Sequence, residues 1–247
     1  MLVEPSGPRN VGSVARAIAN FNGAPLKLQL RLVAPRCDHG GDEARRMAVH
    51  AVSVLERALV FPSLASALAD CGRVVATTGR GEGEPLPPSP PDEALTWLLG
   101  ADARTGTALV FGREDRGLSR DELLLAGRLL RIQTGPAYSS LNLAQAAAVA
   151  LQRLRALSVA EAGASRGVLT QGEPARRDRL EALLADAESL LLDVGFLHPH
   201  TAHARMAKLR GLLQRGQVDD AEVALLRGMV RQMRWACRRL PQDTGTP

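Results

Sequence analysis

Residues 107–119 are Thr-Ala-Leu-Val-Phe-Gly-Arg-Glu-Asp-Arg-Gly-Leu-Ser, and this stretch decides which fold is expected. Its first part, residues 107–112, is a short apolar run of the kind that forms a buried strand. A charged loop with a glycine at each end follows, and Ser119 with Glu122 three residues later predicts a capping box at a helix start. Strand, loop and helix follow one another here, which is the building unit of α/β proteins.

The same alternation extends to both sides of this stretch. Further strands are predicted at 26–32, where apolar and polar residues strictly alternate, and at 73–78 and 129–133. Apolar residues at helical spacing predict helices between them, at 12–21, 43–54, 63–70, 92–99 and 141–157. The pattern predicts an α/β fold, a parallel sheet flanked by helices, with ligands at the carboxyl ends of its strands.

After residue 157 the amino-acid composition and the periodicity of the chain change. Ala, Gly and Ser dominate as far as residue 172, without periodicity, and amphipathic helices follow at 180–192, 203–214 and 222–240. We therefore expect three parts: a domain at 1–157, a linker at 158–177 and a small all-helical region at 178–247.

Composition limits the classes of function. The 31 Lys and Arg residues exceed the 26 Asp and Glu residues, giving a net charge of +5 that suits a polyanionic partner. Seven aromatic residues are few for a base-stacking platform, and three scattered cysteines indicate neither a disulfide framework nor a zinc ribbon. Because no apolar run is long enough for a membrane span and the N-terminus lacks a secretory pattern, we expect a cytoplasmic protein.

Three segments combine a strand end or polar loop with a helix start. The first contains Asn10, Gly12 and Arg16; the second is the charged loop around Glu114. The third, residues 138–145, is Tyr-Ser-Ser-Leu-Asn-Leu-Ala-Gln, which places polar side chains at a helix N-terminus, where free backbone N–H groups bind ligand oxygens.

In this order and spacing, the three segments resemble the signature motifs of the SpoU branch of the SPOUT RNA methyltransferases. The resemblance extends over residues 1–157, and the helical region, with Val-Gly-Phe-Leu-His-Pro at 194–199, resembles the C-terminal extension of the TrmJ group. That group methylates tRNA at ribose position 32.

The resemblance implies a sheet whose C-terminal strand, loop and helix form a deep trefoil knot, and a homodimer in which the first motif of one subunit completes the partner's site. It also implies S-adenosyl-L-methionine, bound bent in the knot by residues of three loops: Thr77, Thr78, Gly79, Gly112, Ile132, Ser139, Ser140 and Leu141.

A ribose 2′-OH must lose its proton as it attacks the methyl group. Arg16 is predicted to stabilise the developing alkoxide and hold the adjacent phosphate, although some mechanisms in the family assign it the proton abstraction. The remaining predicted catalytic residues are Asn10, Glu114, Ser140 and Asn142, and Arg80 and Arg113 are predicted to join Arg16 in contacting RNA.

Several alternatives stay open. The substrate is tRNA or ribosomal RNA, and a catalytically inactive RNA-binding protein of the same fold is the third hypothesis. The glycines at 79–83 lack the spacing of a dinucleotide loop, and His198, His200 and His203 lack the acidic or thiol partners expected of a metal site, so no metal is expected. Only Leu-Val-Glu at 2–4 precedes Pro5, which predicts a shortened first strand.

Overall fold

The computed structural model describes residues 1–79, 83–101, 105–137, 139–163 and 173–239. Chain contacts divide the protein into two compact units, Met1–Gln171 and Gly172–Pro247. No described helix is long and apolar enough to cross a membrane.

The first unit is a parallel sheet. Its described strands are β1 (Leu2–Val3), β2 (Arg31–Val33), β3 (Leu59–Phe61), β4 (Cys71–Thr77), β5 (Pro88–Ser89), β6 (Gly106–Val110) and β7 (Arg128–Leu130). They pair in the orders β1-β2-β3 and β5-β7-β4-β6, with every pair parallel. Hydrogen bonds from Val3 N–H to the Phe111 carbonyl and from Phe111 N–H to the Met1 carbonyl, both 3.0 Å, join the two sets beside β1.

Helices cover both faces of this sheet. They are α1 (Pro8–Phe21), α2 (Asp42–Ala48), α3 (Val52–Glu56), α4 (Leu64–Leu68), α5 (Pro91–Leu99), α6 (Arg120–Leu123) and α7 (Leu143–Gly163). One apolar cluster includes residues of α1, α2, α5 and α7, and a second includes residues of α4 and α6. The α/β class predicted from the alternating pattern is confirmed.

The second unit is helical, with α8 (Arg177–Asp193), α9 (Pro199–Arg215) and α10 (Asp220–Arg239). Its own core holds apolar residues of all three helices, among them Leu183, Met206 and Val230. The helical spacing of apolar residues therefore predicted each of the three helices to within a few residues.

The strand predicted at 26–32 was wrong except at its end, since β2 begins at Arg31. Leu26 and Leu28 still pack against the core, so the alternation of apolar and polar residues shows which side chains turn inward. The Leu28 N–H donates to the Asn22 side chain at 2.9 Å and not to a neighbouring strand. A loop segment whose alternate side chains turn inward produces the same sequence pattern as a strand.

Two helix boundaries also differ from prediction. The helix predicted at 43–54 is interrupted at Val49, whose φ of 54° and ψ of −110° end α2, and a short 3-10 turn leads into α3. The linker was predicted to begin at residue 158, but α7 continues to Gly163. Ser158 is buried there and donates to the Arg155 carbonyl at 2.8 Å, so this alanine-rich segment is helical.

Candidate active site

The loops that follow β4, β6 and β7 converge at the carboxyl edge of the sheet and enclose a pocket of about 330 Å³. This volume lies within the range of roughly 300–1,000 Å³ that small-molecule sites occupy. Every residue predicted to hold the cofactor lines this one pocket: Thr77, Thr78, Gly79, Gly112, Ile132, Ser139, Ser140 and Leu141.

Apolar side chains and hydrogen bonds between loop residues shape the pocket. Phe111, Leu130 and Leu143, all buried, contribute apolar wall, while the Thr77 hydroxyl donates to the Val110 carbonyl at 3.0 Å and ties two strand ends together. The Thr134 hydroxyl donates to the Ser139 carbonyl at 2.9 Å and closes the third loop on itself. These hydrogen bonds fix the Thr77 and Thr134 hydroxyls and the Ser139 carbonyl in the lining of the pocket.

Gly112 is required by the charged loop that follows it. A Cβ at this position would lie 2.4 Å from the backbone carbon of Gly117 and from the nitrogen of Leu118. Gly117 itself has a φ of 70°, a conformation that favours glycine. Only glycine at both positions lets the loop fold back on the strand and form this side of the pocket.

Glu114 joins the first and second sequence motifs. Its carboxylate accepts hydrogen bonds from Ser6 N–H at 3.1 Å, from Gly7 N–H at 3.0 Å and from the Asn10 side-chain amide at 3.2 Å. Asn10 in turn accepts a hydrogen bond from the Asn142 side chain at 3.0 Å. A continuous chain of polar contacts, Glu114 to Asn10 to Asn142, therefore links all three motifs.

The contacts of Glu114 also fix its charge. Partial burial by itself would raise the pKa of this carboxyl, but the hydrogen bonds from Ser6, Asn10 and Gly7 outweigh it and hold the pKa below the ordinary value. Glu114 is consequently a charged acceptor at neutral pH. It anchors the start of α1 and is poorly suited to accept a proton from a substrate.

Side-chain caps hold the helix starts of two motifs, and one of them, at Ser119, was predicted. The Glu122 N–H donates to the Ser119 hydroxyl at 3.3 Å and the Ser119 N–H donates to the Glu122 carboxylate at 2.7 Å, which is the predicted capping box. At the start of α7, the Asn142 side-chain oxygen accepts from Ala144 N–H at 2.8 Å, and the backbone N–H of Asn142 donates to the Gln145 side chain at 3.2 Å.

Arg113 was predicted to contact RNA, and in the structure its guanidinium lies between two carboxylates. Its side chain is only 11% exposed and bridges Glu122, at 2.8 Å, and Glu4. Hydrogen bonds to Glu122 and Glu4 raise the pKa of Arg113 above its ordinary value. A guanidinium occupied by two carboxylates joins the N-terminal strand to the charged loop, so it has little capacity left for phosphate.

Arg16 lies on the exposed face of α1 and is not among the residues that line the pocket. Within the described part of the chain, its guanidinium has no hydrogen bond or ion pair. The opposite face of α1 is buried, and Gly12 there packs against Ala44 of α2. The absence of a side chain at Gly12 therefore allows α1 and α2 to pack closely, and Gly12 does not line the pocket.

The remaining sequence features are Arg80, Tyr138 and the histidines of the second unit. Arg80 and Tyr138 fall outside the described residues. No group of three or more His, Cys, Asp or Glu among the described residues could hold a metal ion. The His198 and His200 rings stack with their centroids 5.8 Å apart.

Sequence reasoning missed the partners of the predicted residues. Ser6 and Gly7, which hold Glu114, and Glu4, which pairs with Arg113, stand over 100 positions from their partners. The only local signal was Gly7 before Pro8, an arrangement typical of a helix start. No spacing rule connects groups so far apart.

Comparison with known proteins defines the class to which this fold and pocket belong. The family model described as "SpoU rRNA Methylase family" matches residues 1–152. Residues 178–244 match the model described as "tRNA methyltransferase TrmJ, C-terminal domain". The chain belongs to the SpoU methylase family and, within it, to the TrmJ group.

Individual relatives match nearly the whole chain. A Pseudomonas aeruginosa protein named tRNA (cytidine/uridine/adenosine-2′-O-)-methyltransferase TrmJ is 34% identical over 97% of this chain and 95% of its own length. A Cronobacter sakazakii protein named tRNA (cytidine/uridine-2′-O-)-methyltransferase TrmJ is 34% identical over 93% of both chains. Among solved structures, TrmJ from Z. mobilis ZM4 has a TM-score of 0.80 at 32% identity, covering 94% of this chain and 97% of its own.

Proposed function

We propose that this protein is an S-adenosyl-L-methionine-dependent RNA 2′-O-ribose methyltransferase whose substrate is tRNA. The observation that carries the proposal is the convergence of three loops on one pocket, beside a polar chain that links Glu114, Asn10 and Asn142. This arrangement occurs in a chain of the SpoU methylase family whose relatives are named tRNA 2′-O-methyltransferases.

The pocket suits S-adenosyl-L-methionine. Its apolar wall, with Phe111 and Leu130, fits the face of an adenine ring, and the threonine and serine hydroxyls fit polar groups of the ribose and amino acid. The cofactor would supply an electrophilic methyl group on a sulfonium. The residues that would hold it are those predicted: Thr77, Thr78, Gly79, Gly112, Ile132, Ser139, Ser140 and Leu141.

The catalytic roles follow from where the polar groups lie. Asn10, held by Glu114, and Asn142, bonded to Asn10, are fixed side chains that can position the target ribose, and the Ser140 hydroxyl lines the pocket and can hydrogen-bond substrate or cofactor. Arg16 would stabilise the 2′-alkoxide as the hydroxyl loses its proton, and would hold the neighbouring phosphate. As a guanidinium it stays protonated, so charge stabilisation suits it better than proton abstraction.

Homodimerisation accounts for the position of Arg16. Since Arg16 is exposed and does not line the pocket of its own chain, it is available to a second copy. We therefore propose a homodimer in which α1 of one subunit completes the partner's site. A trefoil knot around the third loop, implied by the family, is part of the same proposal, because it would hold residues 132–141 close against the other two loops.

The substrate is inferred from the relatives and from the second unit. Relatives that match both units carry tRNA in their names, and residues 178–244 match a domain described for a tRNA methyltransferase. We propose anticodon-loop position 32 as the target, in the cytoplasm. Ribosomal RNA is the second candidate, since the model matching residues 1–152 is described for rRNA methylases. We propose that the domain predicted at 1–157 extends to the end of α7 at Gly163, and that a linker joins it to the helical region predicted at 178–247.

An Arg16→Ala variant tests the catalytic role. We expect S-adenosyl-L-methionine to bind with unchanged affinity in calorimetry, while methyl transfer to tRNA falls by roughly 100-fold or more, the effect of removing one charge-stabilising group. Arg9→Ala is the matched control, an exposed arginine on the same helix. Unchanged turnover in Arg16→Ala, or an equal loss in Arg9→Ala, would remove Arg16 from the mechanism.

Parallel assays on unmodified tRNA and on ribosomal RNA separate the candidate functions. Methylation of tRNA alone supports the proposal, and methylation of ribosomal RNA alone replaces it by the second candidate. Binding of RNA without methylation of either would indicate a catalytically inactive binding protein.

A further inference from the structure

Helix α10 carries a row of exposed cationic side chains around an exposed tryptophan. We call Arg231, Trp235, Arg238 and Arg239 the α10 stripe. Trp235 follows Arg231 by four residues and precedes Arg238 and Arg239 by three and four, so all four side chains share one face of the helix. Trp235 is 50% exposed.

The packed face of α10 lies beside this stripe and fixes where the stripe is exposed. Val223 and Val230 are buried in the core of the second unit. Arg227 donates to the Asp186 carboxylate at 2.8 and 3.0 Å, and Arg234 donates to the Asp186 carbonyl at 2.7 Å. These contacts hold α10 against α8, so the stripe lies on an exposed flank of α10 beside the packed face.

The arginines of the stripe differ from others in the same unit. Arg179 and Arg210 form ion pairs with Asp220 and Glu181. The three stripe arginines have no carboxylate partner among the described residues. Three uncompensated charges on one exposed face favour a polyanion, whose phosphates would supply the missing counter-charge.

Trp235 narrows the class of polyanion. Arg239 lies over its indole ring, with the guanidinium carbon 4.1 Å from the ring centroid. One face of the ring is thereby covered by a cation, and the residue remains half exposed. An aromatic ring beside unpaired arginines is how proteins hold an unstacked base of single-stranded RNA together with its phosphates. The low aromatic content argued against a stacking platform, yet a single ring suffices for a single base.

We propose that the α10 stripe is an RNA-binding surface for the tRNA substrate: its arginines contact phosphates and Trp235 stacks on an unpaired base. This inference rests on the proposed function and adds to it a place where the second unit touches the substrate. Folded tRNA offers unpaired bases in its loops, next to phosphates, which is the combination that the stripe is built to contact.

Tryptophan fluorescence provides a direct measurement. The chain has two tryptophans, Trp97 and Trp235, so Trp97→Phe leaves Trp235 as the only reporter. We expect quenching of Trp235 when an unmodified tRNA transcript is added, saturating at the same concentration as binding followed by anisotropy of labelled tRNA. Saturated binding with no change in Trp235 fluorescence would overturn the stacking role.

Two variants separate stacking from charge. Trp235→Ala is expected to weaken tRNA binding about tenfold, with Trp235→Phe close to wild type. Replacing all three stripe arginines by Gln is expected to lower the slope of log Kd against log salt by roughly 2 to 3. The matched control replaces three exposed arginines elsewhere, Arg46, Arg57 and Arg215, by Gln. An equal loss in this control would show that net charge alone acts and would overturn the proposal.

Measuring binding apart from catalysis distinguishes the two proposals. If wild-type protein methylates tRNA while the stripe variants bind tRNA normally, the stripe proposal fails and the proposed function stands. If tRNA is never methylated but binding still requires the stripe, the proposed function fails alone. Vesicles containing anionic lipid form a separate arm, and stripe-dependent binding to vesicles without stripe-dependent binding to tRNA would also overturn the proposal.

Discussion

Gly12 sits where α1 and α2 come closest, and replacing it by alanine tests whether this contact sets the shape of the first motif. A Cβ at Gly12 would lie 2.1 Å from the carbonyl oxygen of Ala44 and 2.9 Å from the Cβ of Met47, whereas ordinary contact begins near 3.4 Å. The carbonyl belongs to the backbone of α2, so no side-chain rotation relieves the clash. The two helices would have to separate by about 1 Å.

The magnitude follows from two opposing terms. Overpacking of this kind costs about 1–3 kcal/mol or somewhat more, and backbone against backbone places Gly12→Ala at the upper end. Alanine favours the helix over glycine by about 1 kcal/mol. The net loss in the free energy of unfolding is therefore expected to be about 2 kcal/mol, together with a displacement of Arg16 on the same helix that lowers turnover.

Urea denaturation followed by circular dichroism measures the first effect, and initial rates of methyl transfer measure the second. Gly228→Ala is the matched control, because Gly228 is also inside a helix but has no atom within 4 Å of the added Cβ. The free energy of unfolding of Gly228→Ala should be about 0.5–1 kcal/mol higher than that of the wild type. A Gly12→Ala protein as stable and as active as wild type would refute the interpretation of Gly12 as a helix-contact residue.

Three further predictions concern strain and charge. Val49→Gly should raise the free energy of unfolding by about 1 kcal/mol, because a φ of 54° with ψ of −110° suits glycine and the lost side chain is 45% exposed. Glu114→Gln should be less stable than wild type at pH 7, and the difference should shrink as pH falls through the lowered pKa of Glu114, since the stabilisation is complete only above the ordinary value of 4.5. Arg113→Gln should lower the free energy of unfolding by about 3 kcal/mol at pH 7, because Glu4 and Glu122 lose their cation. The loss should be smaller in acid, where both carboxyls are protonated.

Each of these has a clear contrary result. A lower melting temperature for Val49→Gly would show that the exposed valine stabilises the native state more than its backbone strain costs. A stability difference for Glu114→Gln that is constant from pH 7 to pH 3 would mean that the charge of Glu114 is irrelevant to its hydrogen bonds. A fully stable Arg113→Gln that binds tRNA poorly would restore Arg113 to the RNA-binding role predicted from the sequence.

The order of strands and helices could be predicted because burial imposes a period on the sequence. The strands β4, β6 and β7 and most of the helices were found in this way to within a few residues, but the break at Val49 and the extension of α7 to Gly163 were not. β3 and β5 were missed because one is short and exposed at an edge and the other begins with proline. Periodicity reports which side chains are buried, and an edge strand buries few.

The pocket was predicted through motifs, and its supporting contacts were not. Thr77, Gly112 and Ser140 were assigned from the resemblance to the SpoU branch, and topology predicted only that a ligand would lie at the carboxyl ends of the parallel strands. The ion pairs of Arg113 and the anchoring of Glu114 by Ser6 depend on which side chains meet across more than 100 residues. That pairing is decided by the packed structure and leaves no spacing in the sequence.

The most direct test of the proposed activity uses wild-type protein, radiolabelled S-adenosyl-L-methionine and an unmodified tRNA transcript, followed by mapping of ribose methylation at single-nucleotide resolution. We expect one labelled 2′-O-methyl group per tRNA, at position 32. Label on a base, or cofactor binding with no label in tRNA, would contradict it.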